Sequence, residues 1–325
     1  MKLRKTLALL LASVMTLGLA ASTVAASEDE IVVSVILKTL SSEYWQYVKA
    51  GCDAYAAETE GVKVKVAGPP SETSFDDMTN MIQTELSNAE NDVLVIAPLQ
   101  SESVAAQIVG SKVPVLALDT KIESPDIVTF VGTGNEEAAK EGAIAAVEMA
   151  KELGWEEIKC IEIAGVQGDQ TNTARMNGYR AGVNESGGEF LDDEVQYAEA
   201  TADRAVTAME GIMSKHPEGV AIICANNDDM ALAAAQTAKG NEAYKNTVFL
   251  GFNGDAAACE AMAAGTYENY ISVAQQAYDM GYKGVEAAVQ AVNGEELPEF
   301  VDSGAAIITK ENAQERLDTL AGYLK

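Results

Sequence analysis

Short apolar runs alternate with longer amphipathic segments along the chain from Ile31 onward. Residues 220–224 show this most clearly, because five consecutive apolar residues have the length and β-branched character of a strand buried on both faces. Four polar residues follow at 226–229, and a helix-like apolar pattern begins at Met230. A buried strand, a polar turn and a capped helix make one βα step, so the pattern predicts parallel sheets with helices on both faces.

Apolar runs and helical spacing divide the whole chain into strands and helices in the same way. The predicted strands are 31–37, 62–66, 93–96, 113–118, 127–131, 158–164, 195–198, 220–224, 248–250, 271–274 and 306–308. The predicted helices are 43–58, 74–88, 104–109, 135–153, 171–186, 203–214, 230–235, 255–264, 278–292 and 311–324.

The strands are roughly twice as many as one small sheet needs. The alternation starts again after Gly132-Thr133-Gly134, and no linker rich in proline, serine or charge separates the two halves. We therefore predict an α/β protein with two similar doubly wound parallel-sheet lobes, joined by short extended strands.

The first 26 residues have the pattern of a signal peptide. Basic residues lie within the first five positions, an apolar core follows at 7–19, and small residues stand at 24–26. We expect cleavage after Ala26 and a periplasmic or otherwise extracytoplasmic protein. The apolar core is too short for a membrane anchor, and no cysteine lies near the cleavage site for lipid attachment.

The chain is strongly acidic, with 50 acidic and 22 basic residues and a formal net charge of −28. Nucleic acids and anionic membrane surfaces are bound by clustered positive charge. The composition therefore argues against nucleic acid as a partner.

Signatures of catalysis and of cofactor binding are few. The single histidine, His216, lies at the end of a predicted helix, and no GxSxG elbow or GxxxxGK[ST] loop occurs. The glycines at 132 and 134 are not completed to GxGxxG, and the acidic pair at 228–229 lacks the spacing of a calcium loop. We predict no enzyme, no cofactor and no metal site.

The cysteines have neither a CxxC pair nor a regular spacing, and they are Cys52, Cys160, Cys224 and Cys259. Cys160 and Cys224 lie in apolar predicted strands, which favours burial as small hydrophobic side chains. Export permits a disulfide, and the sequence leaves open whether any of the four cysteines pair.

Polar and aromatic side chains follow the predicted strands in both halves, at the ends where ligands bind in open α/β sheets. They are residues 41–45, Asp119 and Thr120, residues 167–172 with Arg175, residues 226–229, Asn253 and Asp255, and Gln275 and Gln276. Amides and paired charges supply the donors and acceptors that a neutral polyhydroxylated ligand needs. Tyr44 and Trp45 are adjacent on a helix, so we expect that both rings cannot enter the same core face.

Six segments carry a family resemblance by their order and spacing. They are TLSSEYW at 39–45, VPVLALD at 113–119, TARMNGY at 173–179, NNDDMAL at 226–232, GFNG at 251–254 and ISVAQQ at 271–276. With them the chain resembles the type I periplasmic sugar-binding proteins of ABC importers, the ribose-binding group in particular. The resemblance implies two lobes that close on a ligand about a three-segment hinge. Residues 27–133 with 277–303 would form one lobe, and 134–276 with 304–325 the other.

The resemblance also implies the side chains that contact the ligand. They are Ser42, Tyr44, Trp45 and Asp119 from the first lobe, and Arg175, Asn227, Asn253 and Gln275 from the second lobe and hinge. The two aromatic rings would stack on the sugar, Asp119 and Arg175 would hold its hydroxyls, and the amides would contact the rest. In the turn at 226–229 we expect Asn227 to reach the ligand, Asp228 to cap the following helix and Asp229 to be solvated.

The implied function is delivery of a sugar or sugar-like polyol to an ABC permease in the membrane by a monomeric binding protein. A sensor module that presents bound sugar to a signalling protein is the alternative. Ser42, Thr120, Ala202 and Asn253 depart from the ribose-binding pattern, which has Asn, Arg, an aromatic residue and Asp there. These departures predict a ligand other than ribose, such as a hexose, a polyol or a modified sugar.

Overall fold

The computed structural model describes residues 30–324, so the predicted signal peptide lies outside the described residues. In chain order the elements are β1 (Ile31–Ile36), α1 (Glu43–Glu58), β2 (Val62–Ala67), α2 (Phe75–Ser87), β3 (Val93–Ile96), α3 (Ser101–Gln107), β4 (Val115–Leu118), β5 (Ile127–Gly132), α4 (Asn135–Glu152), β6 (Lys159–Ala164), α5 (Gln170–Glu185), β7 (Glu189–Phe190), β8 (Gln196–Tyr197), α6 (Ala202–Lys215), β9 (Ile222–Ala225), α7 (Asp228–Ala238), β10 (Val248–Asn253), α8 (Ala256–Ala263), β11 (Tyr270–Gln275), α9 (Ala277–Val292), β12 (Phe300–Asp302), β13 (Ala305–Ile308) and α10 (Ala313–Tyr323). Among these residues, none of the helices combines the length and the apolar character that crossing a membrane requires.

The first sheet has six strands in the order β12-β5-β4-β3-β1-β2, and every neighbouring pair is parallel. Helices α1 and α9 cover one face, and α2 and α3 cover the other. Because both faces are covered, the central strands β3 and β4 are apolar at every position.

The second sheet has the order β13-β11-β10-β9-β6-β7, with β8 also paired to β6. Only β13 is antiparallel to its neighbour among these strands. Helices α4 and α5 pack on one face, and α6, α7 and α8 on the other. The two doubly wound parallel-sheet lobes predicted from the sequence are confirmed.

The chain passes between the two sheets three times, through very short segments. These are residues 133–134 between β5 and α4, Gln276 between β11 and α9, and residues 303–304 between β12 and β13. The hydroxyls of Thr133 and Ser303 lie 3.1 Å apart, which links the first crossing to the third. The Gln276 side chain lies beside Gly304, so all three crossings are neighbours.

The differences from the predicted elements are local. Strands β7 and β12 were not predicted, because two or three residues are too short to show an alternating pattern. Helix α3 begins at Ser101, three residues before its predicted start. Strand β9 is shifted by one to two residues, so that Val220 and Ala221 are buried but precede it.

All four cysteines are buried free thiols. The Sγ atoms of Cys160 on β6 and Cys224 on β9 lie 3.4 Å apart without a bond. The predicted burial of this pair is therefore confirmed.

A glutamate lies in the same core. Glu162 on β6 is completely buried, stands opposite Cys224 in the strand register, and has no hydrogen-bond partner on either carboxylate oxygen within the described residues. Burial raises the pKa of Glu162 to about 8, and the positive charge of Arg180 offsets this only in part. The side chain is therefore a neutral carboxylic acid in the folded protein at neutral pH.

This glutamate makes the folding free energy depend on pH. Its folded pKa lies above the unfolded value, so its contribution is most favourable at low pH and is lost as the pH rises from about 4.5 to about 8. The loss at pH 7 is about 3 kcal/mol. In Glu162→Gln we expect the melting temperature to fall less steeply between pH 5 and pH 8 than in the wild type. Scanning calorimetry at four pH values measures the slopes.

Glu189→Gln, at an exposed position on the neighbouring strand β7, is the matched control. It should keep the wild-type slope. An unchanged slope in Glu162→Gln would show that the carboxyl group does not ionise in this range.

Candidate functional site

A cavity of about 290 Å³ lies between the two sheets, at the carboxyl ends of their strands. Its walls come from the segments that follow β1, β2 and β4 in the first sheet and β6, β8 and β9 in the second, and from the last residues of β10 and β11. The structure brings all eight residues predicted to contact a ligand to this cavity, and they are Ser42, Tyr44, Trp45, Asp119, Arg175, Asn227, Asn253 and Gln275.

Two aromatic rings at the start of α1 form the first-sheet wall. Tyr44 and Trp45 pack edge to face, with ring centroids 4.9 Å apart and planes at 80°. The Tyr44 hydroxyl donates to Asp119 Oδ1 at 2.7 Å, and Trp45 Nε1 donates to Glu72 Oε1 at 2.9 Å. Ser42 precedes them as the residue before the helix, and its side chain makes no capping hydrogen bond.

The expectation that both rings cannot enter one core face is wrong. Tyr44 and Trp45 are 4% and 3% exposed, and both belong to the core cluster beneath α1 and α9. The edge-to-face arrangement lets neighbouring side chains of one helix share this core, while both rings also line the cavity.

Two of the polar residues have a strained backbone. Asp119 follows β4 with φ at 61°, and Asn253 ends β10 with φ at 128°. Left-handed conformations cost non-glycine residues about 1–2 kcal/mol, and such strain persists where the surroundings impose it. At Asp119 the surroundings include the Thr120 hydroxyl, which donates to Oδ2 at 2.8 Å.

Arg175 on α5 supplies a buried guanidinium to the second-sheet wall. Its Cζ lies 3.8 Å from the centre of the Phe252 ring, and the side chain is nearly inaccessible to solvent. Its Nε donates to Asn135 Oδ1 at 2.9 Å, and its Nη1 donates to the Asn226 carbonyl at 2.7 Å. Neither hydrogen bond uses Nη2, so this group is available to a ligand.

Gln275 presents an unpaired acceptor. Its Nε2 donates to Asn253 Oδ1 at 3.0 Å, and Asn253 Nδ2 donates to Asp255 Oδ2 at 3.0 Å. The Gln275 Oε1 atom is buried and has no partner within the described residues. A buried acceptor without a donor costs about 1–3 kcal/mol. Gln275 has no accessible surface in this arrangement, so a donor in the cavity reaches Oε1 only after the side chain shifts.

The roles predicted for the side chains of the turn at 226–229 need correction. Asn227, not Asp228, caps α7, because its Oδ1 accepts from the Met230 amide at 2.9 Å. Its Nδ2 donates to the Ala200 carbonyl at 3.2 Å. Each end of the Asn227 amide therefore has a protein partner and one remaining hydrogen-bonding position. Asp229 is exposed as expected, and it also lines the cavity.

Asp228 is the centre of a buried network. It is completely buried, and its carboxylate accepts hydrogen bonds from the amides of Gly254 and Asp255 and from the hydroxyls of Tyr270 and Ser272, at 2.8–3.0 Å. Burial raises the pKa of Asp228 to about 6, although these hydrogen bonds oppose the rise. The side chain therefore links α7 to the turn after β10 and to the first half of β11. The sequence near Asp228 indicated only a helix cap.

An ion pair across the cavity was missed. Lys38 follows β1 of the first sheet, and Asp169 follows β6 of the second; their side chains are buried and paired. Lys38 Nζ also lies 3.8 Å from Asp119 Oδ2. Burial alone would lower the pKa of Lys38, but the carboxylates of Asp169, Asp119 and Glu72 outweigh it and raise the pKa. The only sequence signal was position, since both residues follow predicted strands.

The sequence profile of a family described as periplasmic binding protein domain matches residues 32–296. The D-allose-binding periplasmic protein of Escherichia coli K12 is 27% identical over 309 residues, covering 90% of this chain and 96% of the relative. The ribose import binding protein of Bacillus subtilis 168 is 24% identical over 295 residues, covering 88% and 89%.

Solved structures share the fold. A carbohydrate transporter solute-binding protein from Agrobacterium radiobacter, in complex with D-arabinose, has a TM-score of 0.81 at 24% identity, covering 90% of this chain and 99% of that one. An ABC transporter solute-binding protein from Mycobacterium smegmatis, with bound glycerol, has a TM-score of 0.76 at 26% identity, covering 88% and 96%. The profile match over most of the chain and this shared two-sheet fold show that the protein belongs to the periplasmic binding protein domain family.

Proposed function

We propose that the protein is an extracytoplasmic solute-binding protein, which encloses a sugar or sugar-like polyol between two lobes and delivers it to the permease of an ABC transporter. The observation that carries the proposal is the cavity between the two sheets, with aromatic rings, amides and an unpaired buried acceptor in its walls. Hydroxyl groups of a sugar match this mixture of apolar and hydrogen-bonding surface. Relatives named for ribose and D-allose support the same class of ligand.

The size and charge of the cavity narrow the class of ligand that it can bind. Its volume of about 290 Å³ is near the lower end of the roughly 300–1,000 Å³ typical of small-molecule sites. The charged side chains in the wall are Lys38, Arg175, Glu72, Asp119, Asp169 and Asp229. Because acidic groups outnumber basic ones, an uncharged ligand of monosaccharide size is favoured over a sugar acid or sugar phosphate.

The ligand is a sugar or polyol other than ribose. Thr120, at the position of an arginine in the ribose-binding group, is completely buried and hydrogen bonded to Asp119 and Thr171. It does not line the cavity, whereas Ala202, at the position of an aromatic residue, does. Both differences enlarge the space open to the ligand.

Closure brings the two lobes together around the ligand. The pair Lys38–Asp169 joins residues from different sheets, and the hydroxyls of Thr120 and Thr171 meet across the same gap at 2.6 Å. The moving units are 27–133 with 277–303 and 134–276 with 304–325, and the three short crossings between the sheets act as the hinge. Import is favoured over the sensor alternative by relatives named as import proteins.

A panel of D-ribose, D-allose, D-arabinose, D-xylose, myo-inositol and glycerol tests this function by thermal shift. A ligand that binds only the native protein at 100 times its Kd adds about 2.7 kcal/mol to the free energy of unfolding. We expect at least one uncharged sugar or polyol other than D-ribose to raise the melting temperature and to be recovered unchanged. A panel without any shift, or conversion of the compound, contradicts the proposal.

The two tryptophans of the chain make a matched pair for locating the ligand. Trp45 lines the cavity, whereas Trp155 in the second lobe donates from Nε1 to the Asn246 carbonyl and does not line it. In Trp45→Phe we expect the ligand-dependent change in tryptophan fluorescence to disappear. The affinity should fall about tenfold, because phenyl offers a smaller ring surface than indole and lacks the hydrogen bond from Nε1 to Glu72. Fluorescence titration with the best sugar of the panel measures both.

Trp155→Phe should keep the signal and the affinity of the wild type. A full fluorescence response in Trp45→Phe would show that the ligand does not lie against this wall.

The ion pair across the cavity gives a test of closure. Asp169→Asn leaves the buried Lys38 without its second-lobe partner, and a buried charge that loses its partner is strongly destabilised. We expect the variant to be more open without ligand, with a larger radius of gyration in small-angle X-ray scattering. Saturating sugar should restore the compact form, at about tenfold lower affinity or worse.

Asp193→Asn, at an exposed position of the second lobe, is the control and should scatter like the wild type. A wild-type radius of gyration and affinity in Asp169→Asn would exclude the pair as a closure contact.

A further inference from the structure

The C-terminal helix α10 carries a buried arginine that contacts the back of the binding site. Arg316 is 7% exposed. Its Nη2 donates to the Gln275 carbonyl at 2.7 Å, its Nε donates to the Gly254 carbonyl at 3.1 Å, and its Nη1 donates to Gln276 Oε1 at 3.1 Å. All three acceptors are neutral oxygens at the ends of β10 and β11.

These acceptors belong to the segments that shape the cavity. Gln275 itself supplies the unpaired acceptor Oε1, and Gly254 follows Asn253, whose backbone is left-handed. The Gly254 amide is held at 2.8 Å by the Asp228 carboxylate, and its carbonyl is held by Arg316. Hydrogen bonds to both the amide and the carbonyl of Gly254 therefore fix the turn after β10.

The third acceptor lies in a crossing between the lobes. Gln276 is the single residue that separates β11 in the second sheet from α9 on the first sheet. The guanidinium thus joins the ends of two ligand-facing strands to one segment of the proposed hinge.

Helix α10 packs on both lobes. Ala313 and Leu317 contact the core cluster beneath α6 and α7 of the second lobe. One to two turns later, Leu320 and Tyr323 contact the cluster beneath α1 and α9 of the first lobe. The Tyr323 ring also stacks on Tyr278 of α9, with centroids 4.2 Å apart and planes at 8°. The helix therefore contacts both lobes, and Arg316 lies among the second-lobe contacts, about one turn before the first-lobe contacts begin at Leu320.

We infer that Arg316 is a positioning residue for ligand binding: it fixes the carbonyls behind Asn253 and Gln275 in the closed arrangement and couples them to the hinge. The inference rests on the proposed sugar-binding function. A buried guanidinium held by carbonyl oxygens requires those oxygens to stay in place, since removing any of them leaves an N–H group unpaired. The ends of β10 and β11, which carry Asn253 and Gln275, are therefore held in place before a ligand binds, so ordering them adds no further cost on binding.

The test measures dissociation of the panel sugar that raises the wild-type melting temperature most, by stopped-flow tryptophan fluorescence. In Arg316→Met we expect the dissociation rate to rise about 10- to 100-fold while the association rate changes less than about threefold, because closed-state contacts mainly set the dissociation rate. Arg316→Lys should recover part of the loss, since the ammonium can still reach one or two of the carbonyls. Arg204→Met, at a largely exposed arginine of the same lobe, should behave like the wild type.

A double-mutant cycle separates positioning from general stability. If Arg316 acts through Gln275, then Arg316→Met should change the dissociation rate less than about threefold in a Gln275→Leu background. Equal effects of Arg316→Met in both backgrounds, or wild-type dissociation in Arg316→Met, would overturn the inference. If Arg316→Met does not fold, the same comparison with Arg316→Lys decides. A panel in which no sugar binds the wild type contradicts the proposed function, whereas sugar binding that is insensitive to Arg316 contradicts this inference alone.

Discussion

Parallel pairing fixes the edge of a sheet at which its strands end, and the cavity depends on this constraint. All strand pairs of the first sheet and most of the second are parallel, so the residues that follow the strands collect at one edge of each sheet. The three crossings then hold these two edges against each other. Lys38 and Asp169 are far apart in the sequence and follow strands of different sheets, yet their side chains form an ion pair there.

The polar groups of the cavity are largely held by the protein before any ligand arrives. The carboxylate of Asp119 is bound by two hydroxyls, and Asn253 is bound at both ends of its amide. Such pairing orients the polar groups. It accompanies a strained, left-handed backbone at Asp119 and Asn253. Gln275 Oε1 differs because it has no hydrogen-bond partner within residues 30–324.

The sequence predicted the fold well, because long βα repeats with apolar strands have few alternatives. The eight residues taken from the family resemblance also meet in one cavity, since motif order and strand ends together specify position. The sequence could not show which polar groups pair. The role of Asp228 depends on Ser272 and Tyr270, more than 40 residues away, and Arg316 lies on a terminal helix with no motif. Pairing of this kind arises only when separate elements pack together.

The first lobe is discontinuous, and this has a consequence for folding. Helix α9 covers the face that α1 begins to cover, and the two helices approach so closely that Cys52 Sγ lies 3.5 Å from the Gly281 carbonyl, 229 positions later. Strand β12 completes the sheet edge later still. Contacts across so long a stretch close late and slow folding. During synthesis the first lobe therefore waits until the chain has passed β11, and its apolar face stays uncovered until α9 emerges.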